Sequence, residues 1–489
     1  MIPIDSLPDD VLLDIFGFYS EFHHLAGSGN QPWFALIHVC QRWRTVVLQS
    51  PRRLRLRLCC SHKTPARELL DVWPPLPLYI SNMIDGVLQD IAEGIGNIVA
   101  ALEQSDRVDN IYLDGLTSSH LETILAPMQV PLPNLWSLRL DSTELVPVVP
   151  KSFLGGSAPN LRTLYFHGIP FPALPKLLLS STLLVCLDLM YIPQSGYISP
   201  EAMVATLSSL TCLESLSLGF LSFPDFPDQE TRRSSFPKRT VLPVLTSLTF
   251  RGVSEYLEDL VTCIDAPQLN WLYLIFFYDS VFDIPQVIEF IGRTPTLTPP
   301  ERAHLILGDT YARVDFSPQL GVDIICTGLE WQVTSVEQVC TLCSPFLSTV
   351  EDLNVYEHSF WMQRRENTIE ITRKDNVQIT PWPELLRPFN TVKNLYLSKK
   401  FAPHIASALQ ELVGGRMTEA LPTLQNIFLE GFQSGPVPEG IQHFVAARQV
   451  TSHPVAVSLW DISKGYYSRF SHHPLTTTRA VRKLIVPYF

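Results

Sequence analysis

The stretch Leu135-Trp136-Ser137-Leu138-Arg139-Leu140 decides the fold of this 489-residue chain, because its pattern recurs along most of the sequence. Apolar residues stand at its first, fourth and sixth positions, and the closing pair alternates with polar residues. Such alternation predicts a short strand with one buried face. The pattern occurs ten times, at Val108-Ile111-Leu113, Leu135-Leu138-Leu140, Leu161-Leu164-Phe166, Leu184-Leu187-Leu189, Leu213-Leu216-Leu218, Leu245-Leu248-Phe250, Leu269-Leu272-Leu274, Val350-Leu353-Val355, Val392-Leu395-Leu397 and Leu424-Ile427-Leu429.

The first seven copies begin at intervals of 27, 26, 23, 29, 32 and 24 residues, close to the period of about 20–29 residues in leucine-rich repeats. Proline-rich links and helical segments such as Glu201 to Leu210 return the chain for the next strand. The region therefore resembles an irregular leucine-rich-repeat solenoid, an α/β fold whose curved parallel sheet carries helices and loops on its convex side. A doubly wound α/β sheet shares this alternation of strands and helices and remains the alternative.

The repeats depart from the regular kind. Apolar residues (Leu116, Ile169, Leu221 and Val253) occupy the position after the strand, where regular repeats carry Asn. The gaps from 274 to 350 and from 355 to 392 are too long for single repeats, so we expect an irregular arc with excursions near residues 224–240, 279–345 and 356–385. The domain prediction is an N-terminal helical module over 1–58, a connecting region with the start of the solenoid over 59–105, the solenoid over 106–461 and a basic tail over 462–489.

The N-terminal segment predicts two amphipathic helices. Pro8 suits a first helical turn, and Asp9 and Asp10 then lie at the positive end of the helix dipole. The apolar residues that follow, Val11, Leu12, Ile15 and Phe16, form one stripe. A second helix is predicted from Pro32, with an apolar face of Trp33, Leu36, Ile37, Cys40, Trp43 and Val47. A module of this size buries little by itself, so its remaining apolar surface is expected to dock on a partner.

The order of identities in this module is similar to the F-box. The Leu7-Pro8 start, the Ile15-Phe16 pair and the Val39-Cys40-x-x-Trp43 close are all present. The resemblance covers roughly residues 4 to 58, and the continuation into Ser50-Pro51-Arg52-Arg53-Leu54 resembles the fungal branch of that family. The loop from Glu21 to Pro32 is longer than in the compact form. A plain helical hairpin that caps the next domain is the alternative interpretation. The resemblance implies a Skp-type adaptor on a cullin scaffold as partner, bound by Leu7, Pro8, Leu12, Ile15, Phe16, Val39, Cys40 and Trp43.

A second candidate surface comes from the strands. The residue between the last two apolar positions of each copy points to the concave face, and five of these ten residues are aromatic, against 10% in the whole chain. Aromatic residues and Arg often anchor interfaces, although strand propensity alone also favours aromatic residues. The predicted contacts for an unknown target protein are Tyr112, Arg139, Tyr165, His167, Asp188, Arg251, Trp271, Tyr273, Tyr356, Tyr396 and Phe428.

Composition excludes several classes of protein. The formal net charge of −12 argues against bulk binding to nucleic acid or to an anionic membrane. Nine cysteines without a regular framework fit reduced thiols, and the N-terminus lacks the pattern of a signal peptide. The expected location is therefore the cytoplasm or the nucleus. The tail from Ile462 to Phe489 carries five basic and no acidic residues, and it is either a basic arm that binds a partner or a solvated terminus.

No pattern typical of catalysis or of a cofactor occurs. Cys340-x-x-Cys343 is half of a zinc motif without a second pair, and its spacing with Val336, Val339 and Leu347 predicts a buried helical face. We therefore expect no metal and no cofactor. The resemblance implies a non-enzymatic substrate-recognition subunit of a cullin-type ubiquitin ligase. Two alternatives remain open, namely a protein-binding scaffold that acts outside any ligase and an enzyme on an α/β scaffold.

Overall fold

A computed structural model describes residues 4–25, 32–63, 66–84, 87–88, 94–142, 144, 146–221, 239–277, 284–308, 310–316, 318–326, 328–357, 382–413, 419–430, 437–450 and 453–460. The predicted basic tail and most of the excursions expected near 224–240 and 356–385 lie outside these residues. The described residues form two compact units. The first runs up to Ala202 and includes Ser209–Leu213, and the second comprises Met203–Ser208 and the residues from Glu214 onward.

The first unit is an α/β structure that begins with helices. Its strands are arranged in the order β1-β2-β5-β6-β7-β8, each parallel to its neighbour, and β3 and β4 form a separate antiparallel pair. Its helices are α1 (Asp9–Leu25), α2 (Pro32–Ile37), α3 (Gln41–Gln49), α4 (Ala66–Val72), α5 (Ile95–Leu102), α6 (Ser118–Leu125) and α7 (Leu174–Leu178), and α8 (Pro200–Leu207) falls at the division between the units. Its strands are β1 (Leu58–Cys60), β2 (Leu78–Ser81), β3 (Met83–Ile84), β4 (Val87–Leu88), β5 (Val108–Leu113), β6 (Ser137–Asp141), β7 (Thr163–His167) and β8 (Cys186–Ile192).

The second unit is also mixed α/β, with a mostly parallel sheet in the order β9-β11-β13-β16-β15-β14-β17-β18-β19-β20 and a separate parallel pair, β10 and β12. Its strands are β9 (Ser215–Phe220), β10 (Thr240–Val241), β11 (Ser247–Gly252), β12 (Ile264–Asp265), β13 (Trp271–Phe277), β14 (Arg302–Leu307), β15 (Tyr311–Phe316), β16 (Leu320–Ile325), β17 (Asp352–Glu357), β18 (Asn394–Leu397), β19 (Asn426–Glu430) and β20 (Ala456–Trp460). Its helices are α9 (Ser254–Thr262), α10 (Pro285–Gly292), α11 (Leu329–Leu342), α12 (Ser344–Leu347), α13 (Trp382–Leu386), α14 (Ala402–Glu411) and α15 (Glu439–Val450).

The repeated motif accounts for the core of both units. All ten copies form strands, and every apolar position of the ten copies is buried, with at most 2% of its surface exposed. The first apolar residue of each copy enters the core before the strand, or at its first residue in the case of Val108, and the other two face the core from within the strand. The prediction of strands from this motif is confirmed.

The predicted excursion over 279–345 is wrong in its main part. Residues 302–325 form three strands of the sheet, and β15 is antiparallel to both of its neighbours. Short links of three residues join β14 to β15 and β15 to β16. Links of this length allow only antiparallel pairing, since a parallel connection needs a crossover of about a dozen residues or more. The sheet of the second unit is therefore mixed, where the sequence predicted a parallel one.

Among the described residues, no helix has the length and apolar character needed to cross a membrane.

Candidate functional site

Helix α1 carries two apolar stripes on opposite sides. Leu12 and Phe16 are 0% and 1% exposed and face the core. Val11, Ile15 and Phe18 are 41%, 41% and 74% exposed, and their spacing of four and three residues places them on one helical face. The prediction of a single stripe that contains Val11, Leu12, Ile15 and Phe16 is therefore wrong. We call the exposed face, Val11, Ile15 and Phe18, the α1 stripe.

The second predicted helix is divided into α2 and α3, because Cys40 is extended (φ −158°, ψ 169°) and caps α3. Its Sγ accepts a hydrogen bond from the backbone N–H of Trp43 at 3.5 Å. The Trp43 ring packs against Phe16, with ring centroids 4.7 Å apart. The Val-Cys-x-x-Trp sequence thus forms a helix cap, and its Trp holds α3 against α1.

The residues predicted to bind an adaptor fall into two groups. Pro8, Ile15, Val39 and Cys40 are exposed, and Leu7 and Trp43 are half-buried. Leu12 and Phe16 are buried, so they contribute by positioning the helices and offer no contact surface themselves. Arg42 fixes the start of α1 through Asp9 (2.6 Å) and the carbonyl oxygen of Leu7 (2.6 Å).

In the first unit, the predicted target-binding residues form one lateral row across the sheet. Tyr112 on β5 pairs in register with Arg139 on β6, which pairs with Tyr165 on β7 and then with Asp188 on β8. The Arg139 guanidinium lies over the Tyr112 ring at 4.8 Å and near the Tyr165 ring at 5.9 Å. It also contacts the buried Asp114 at 3.4 Å. The repeated motif predicts this row but not Asp114, which lies just after β5.

His167 joins three neighbouring strands of the same face. Its Nδ1 lies 3.3 Å from Asp141 Oδ2 on β6, and its Nε2 lies 3.0 Å from Asp188 Oδ1 on β8. Burial lowers the pKa of His167, but the hydrogen bonds to Asp141 and Asp188 outweigh burial and raise the pKa to about 9. The imidazolium is therefore the form present at neutral pH, and it neutralises part of the acidic charge of this face.

This arrangement predicts a loss of stability in mild alkali. His167 carries a raised pKa in the folded chain, so its stabilising charge is fully present below pH 6.5 and is lost as the pH rises to about 9. The free energy of unfolding, measured in urea, is expected to fall by about 3 kcal/mol over that interval. His167→Gln should remove this fall, whereas His38→Gln, at an exposed position, should keep it. Parallel curves for the wild-type chain and His167→Gln would contradict the assignment.

In the second unit, a cluster centres on Arg313 of β15. Its Nε and Nη2 donate to the two carboxylate oxygens of Asp323 on β16 at 2.6 and 2.8 Å, and Nη2 also donates to the hydroxyl of Tyr273 at 2.6 Å. The Tyr273 hydroxyl in turn donates to Asp323. The Tyr273 ring lies over Gly321, where an added Cβ would stand 2.9 Å from Cδ2 of the ring. Gly321 therefore creates the space that lets Tyr273 reach this cluster.

The other predicted contacts in the second unit differ in exposure. Trp271, Tyr396 and Phe428 are half-buried, and the rings of Tyr396 and Phe428 stack at 4.5 Å. Arg251 and Tyr356 are buried, at 7% and 3% exposure, so the prediction that they offer an open contact surface is wrong. Arg251 lies over the Phe277 ring at 5.5 Å, and Tyr356 packs edge-to-face against His304.

The repeated motif does not predict the residues on the inserted strands, namely Gly321, Asp323, Arg313, Asp315 and His304. The alternation of Ala312, Val314 and Phe316 with polar residues was the available signal for β15. These strands lack the repeated motif, so the motif does not reveal them.

Possible metal ligands and cysteine thiols lie within the described part of the chain. No group of three or more His, Cys, Asp or Glu residues lies close enough to hold a metal ion there. Cys340 and Cys343 are fully buried with Val336, Val339 and Leu347, which confirms the predicted buried helical face. Burial raises the pKa of Cys343 to about 12. None of the nine cysteines forms a disulfide, although Cys40 and Cys212 are exposed.

No family model matches the chain, and no curated protein matches it.

Proposed function

We propose that this chain is a substrate-recognition subunit of a cullin-type ubiquitin ligase, acting in the cytoplasm or the nucleus. In this proposal the N-terminal helices are an F-box that docks on a Skp-type adaptor. The strands form an irregular leucine-rich-repeat solenoid that binds a target protein. The chain itself performs no chemistry.

The α1 stripe is the observation that carries the docking half of the proposal. A helix of a water-soluble module that buries Leu12 and Phe16 has no folding requirement for three further large apolar residues on its opposite face. Contiguous exposed apolar residues mark interaction sites. Ile15, within this stripe, and Val39, which is 59% exposed, both belong to the F-box-like motif.

The target-binding half is supported by strand order and by the row of polar side chains. Within each unit, strands of the motif follow one another in the sheet in chain order apart from the three inserted strands. A doubly wound sheet reverses its strand order partway through, so the sequential order favours a solenoid. Tyr112, Arg139, Tyr165 and Asp188 present aromatic and charged groups in a single row, which is the composition of an interface.

The mechanism follows from two binding surfaces on one chain. A target held on the strands would be kept close to the ubiquitin-conjugating enzyme on the scaffold. Transfer would then be favoured by a high effective concentration of the target lysine, without any catalytic side chain from this protein.

Co-purification with the Skp-type adaptor and a cullin tests this proposal. The wild-type chain should capture both proteins. The double variant Leu7→Ala with Pro8→Ala should capture neither, because these residues begin the docking motif and supply apolar surface at its start. A matched control, Leu179→Ala with Pro159→Ala, removes an exposed Leu and an exposed Pro outside the N-terminal helices and should retain capture. Capture of the adaptor without a cullin would favour a scaffold outside the ligase. Absence of capture by the wild-type chain would reject the proposal.

A further inference from the structure

Asp315 occupies the centre of the polar row of the second unit. On one side it pairs in register with Gly321, whose backbone lies under the ring of Tyr273. On the other side it pairs with His304 of β14. The row continues through Asn354 and the stacked rings of Tyr396 and Phe428.

The arginine side chains near Asp315 are bound by other acidic residues. Arg313, two residues away on the same strand, donates to both carboxylate oxygens of Asp323 and to the Tyr273 hydroxyl. Arg302 on β14 is paired with Asp352 at 3.2 Å. Within the described part of the chain, the Asp315 carboxylate makes no hydrogen bond and no ion pair. The guanidinium of Arg313 is therefore the cation that acts on both Asp315 and Asp323, and it is bound by Asp323.

The pKa of Asp315 is consistent with this excess of negative charge. Burial raises the pKa of Asp315 to about 6, Arg313 opposes this rise, and Asp323 adds to it. At neutral pH the group is still ionised, so the row carries one uncompensated negative charge. A partner that covers the row without a cation would bury this charge unpaired, at considerable cost.

We propose that Asp315 receives an arginine or lysine side chain from an extended segment of the target protein. The inference rests on the proposed function, because that segment belongs to the target. The Asp315 carboxylate suits a guanidinium or an ammonium group, with which it can form charge-assisted hydrogen bonds. Further along the row, Tyr396 and Phe428 offer apolar surface to neighbouring residues of the same segment.

Asp315→Asn is a suitable variant because it should fold. It removes a carboxylate whose ionisation is disfavoured in the folded chain. A raised pKa for an acid means that stability is lost as the pH rises from 3.8 to about 6. Asp315→Asn should therefore unfold at a higher urea concentration than the wild-type chain at pH 7, and the two should coincide near pH 4.

The test is selection of peptides from a random twelve-residue display library on the immobilised full chain at pH 7. Peptides selected by the wild-type chain should be enriched in Arg and Lys relative to the unselected library. Asp315→Asn should lose this enrichment, and it should bind a synthetic copy of the strongest wild-type peptide at least about tenfold more weakly. Asp71→Asn, which removes one exposed carboxylate from α4, is the matched control and should behave as the wild-type chain.

Selection without cationic enrichment, or equal enrichment with Asp315→Asn, would overturn the inference. The result is independent of adaptor capture, because the library is applied to this chain alone. If the wild-type chain does not capture the adaptor but still selects cationic peptides through Asp315, the ligase role is rejected and the binding site is retained. The reverse outcome would keep the ligase role and reject the site.

Discussion

Ile15→Asp is expected to weaken binding to the Skp-type adaptor by at least about thirtyfold, equivalent to about 2 kcal/mol. Ile15 lies in the middle of the α1 stripe, and an interface that covers the stripe would bury the new carboxylate without a partner. The fold should be retained, because 41% of the Ile15 surface is already exposed and substitutions at such positions change stability by about 0.5 kcal/mol. Titration calorimetry with purified adaptor measures the change in affinity.

Val72→Asp provides the matched control for this prediction. Val72 is 75% exposed at the end of α4, so the same charge is introduced on an apolar residue of the same unit outside the α1 stripe. Its affinity for the adaptor should equal that of the wild-type chain. Equal affinities for Ile15→Asp and Val72→Asp would show that the α1 stripe does not contact the adaptor.

Gly168→Ala is expected to lower the free energy of unfolding by about 3 kcal/mol or more. Gly168 follows β7 with φ +69°, and an added Cβ would stand 2.1 Å from the carbonyl oxygen of Ser142. Its backbone N–H donates to the carbonyl oxygen of Met190, and Ser142 N–H donates to that of His167. Ser142, which follows β6, and Gly168, which follows β7, would have to separate to admit the methyl group.

Gly96→Ala is the control for backbone strain. Gly96 lies in α5 with no atom within 4 Å of an added Cβ, so alanine should be neutral or stabilising by up to about 1 kcal/mol. Urea unfolding monitored by fluorescence compares the three chains. A loss below about 1 kcal/mol for Gly168→Ala would mean that the close approach to Ser142 is absent in solution.

Prediction from sequence succeeded where one residue spacing determines both the strand and its burial. In Leu135-x-x-Leu138-x-Leu140 the apolar side chains face the core, which leaves Arg139 on the other face of the strand. The position of Arg139 in the row could therefore be predicted from its position in the motif. Gly321 and Asp323 could not be placed in this way, because their strand, β16, follows β15 through a short antiparallel link. The pairing of the inserted strands is visible only in the structure, because these strands lack the motif.

The N-terminal helices illustrate a different limit. Amphipathic spacing groups Val11 with Leu12, and Ile15 with Phe16, although only Leu12 and Phe16 face the core. Which side of an apolar helix is buried depends on where Trp43 packs, and that depends on the cap at Cys40. The sequence contained both residues but not the angle between the helices, so the exposed stripe became visible only in the structure.

Hydrogen exchange of the full chain, with and without purified Skp-type adaptor, tests the central claim most directly. If the N-terminal helices are the docking module, the adaptor should slow exchange in residues 9–19 and 37–43, where the α1 stripe and the Val39–Cys40 turn lie, and should leave residues 137–167 unchanged. Unchanged exchange throughout, or protection confined to the strands, would contradict the claim that the N-terminal helices are the docking module.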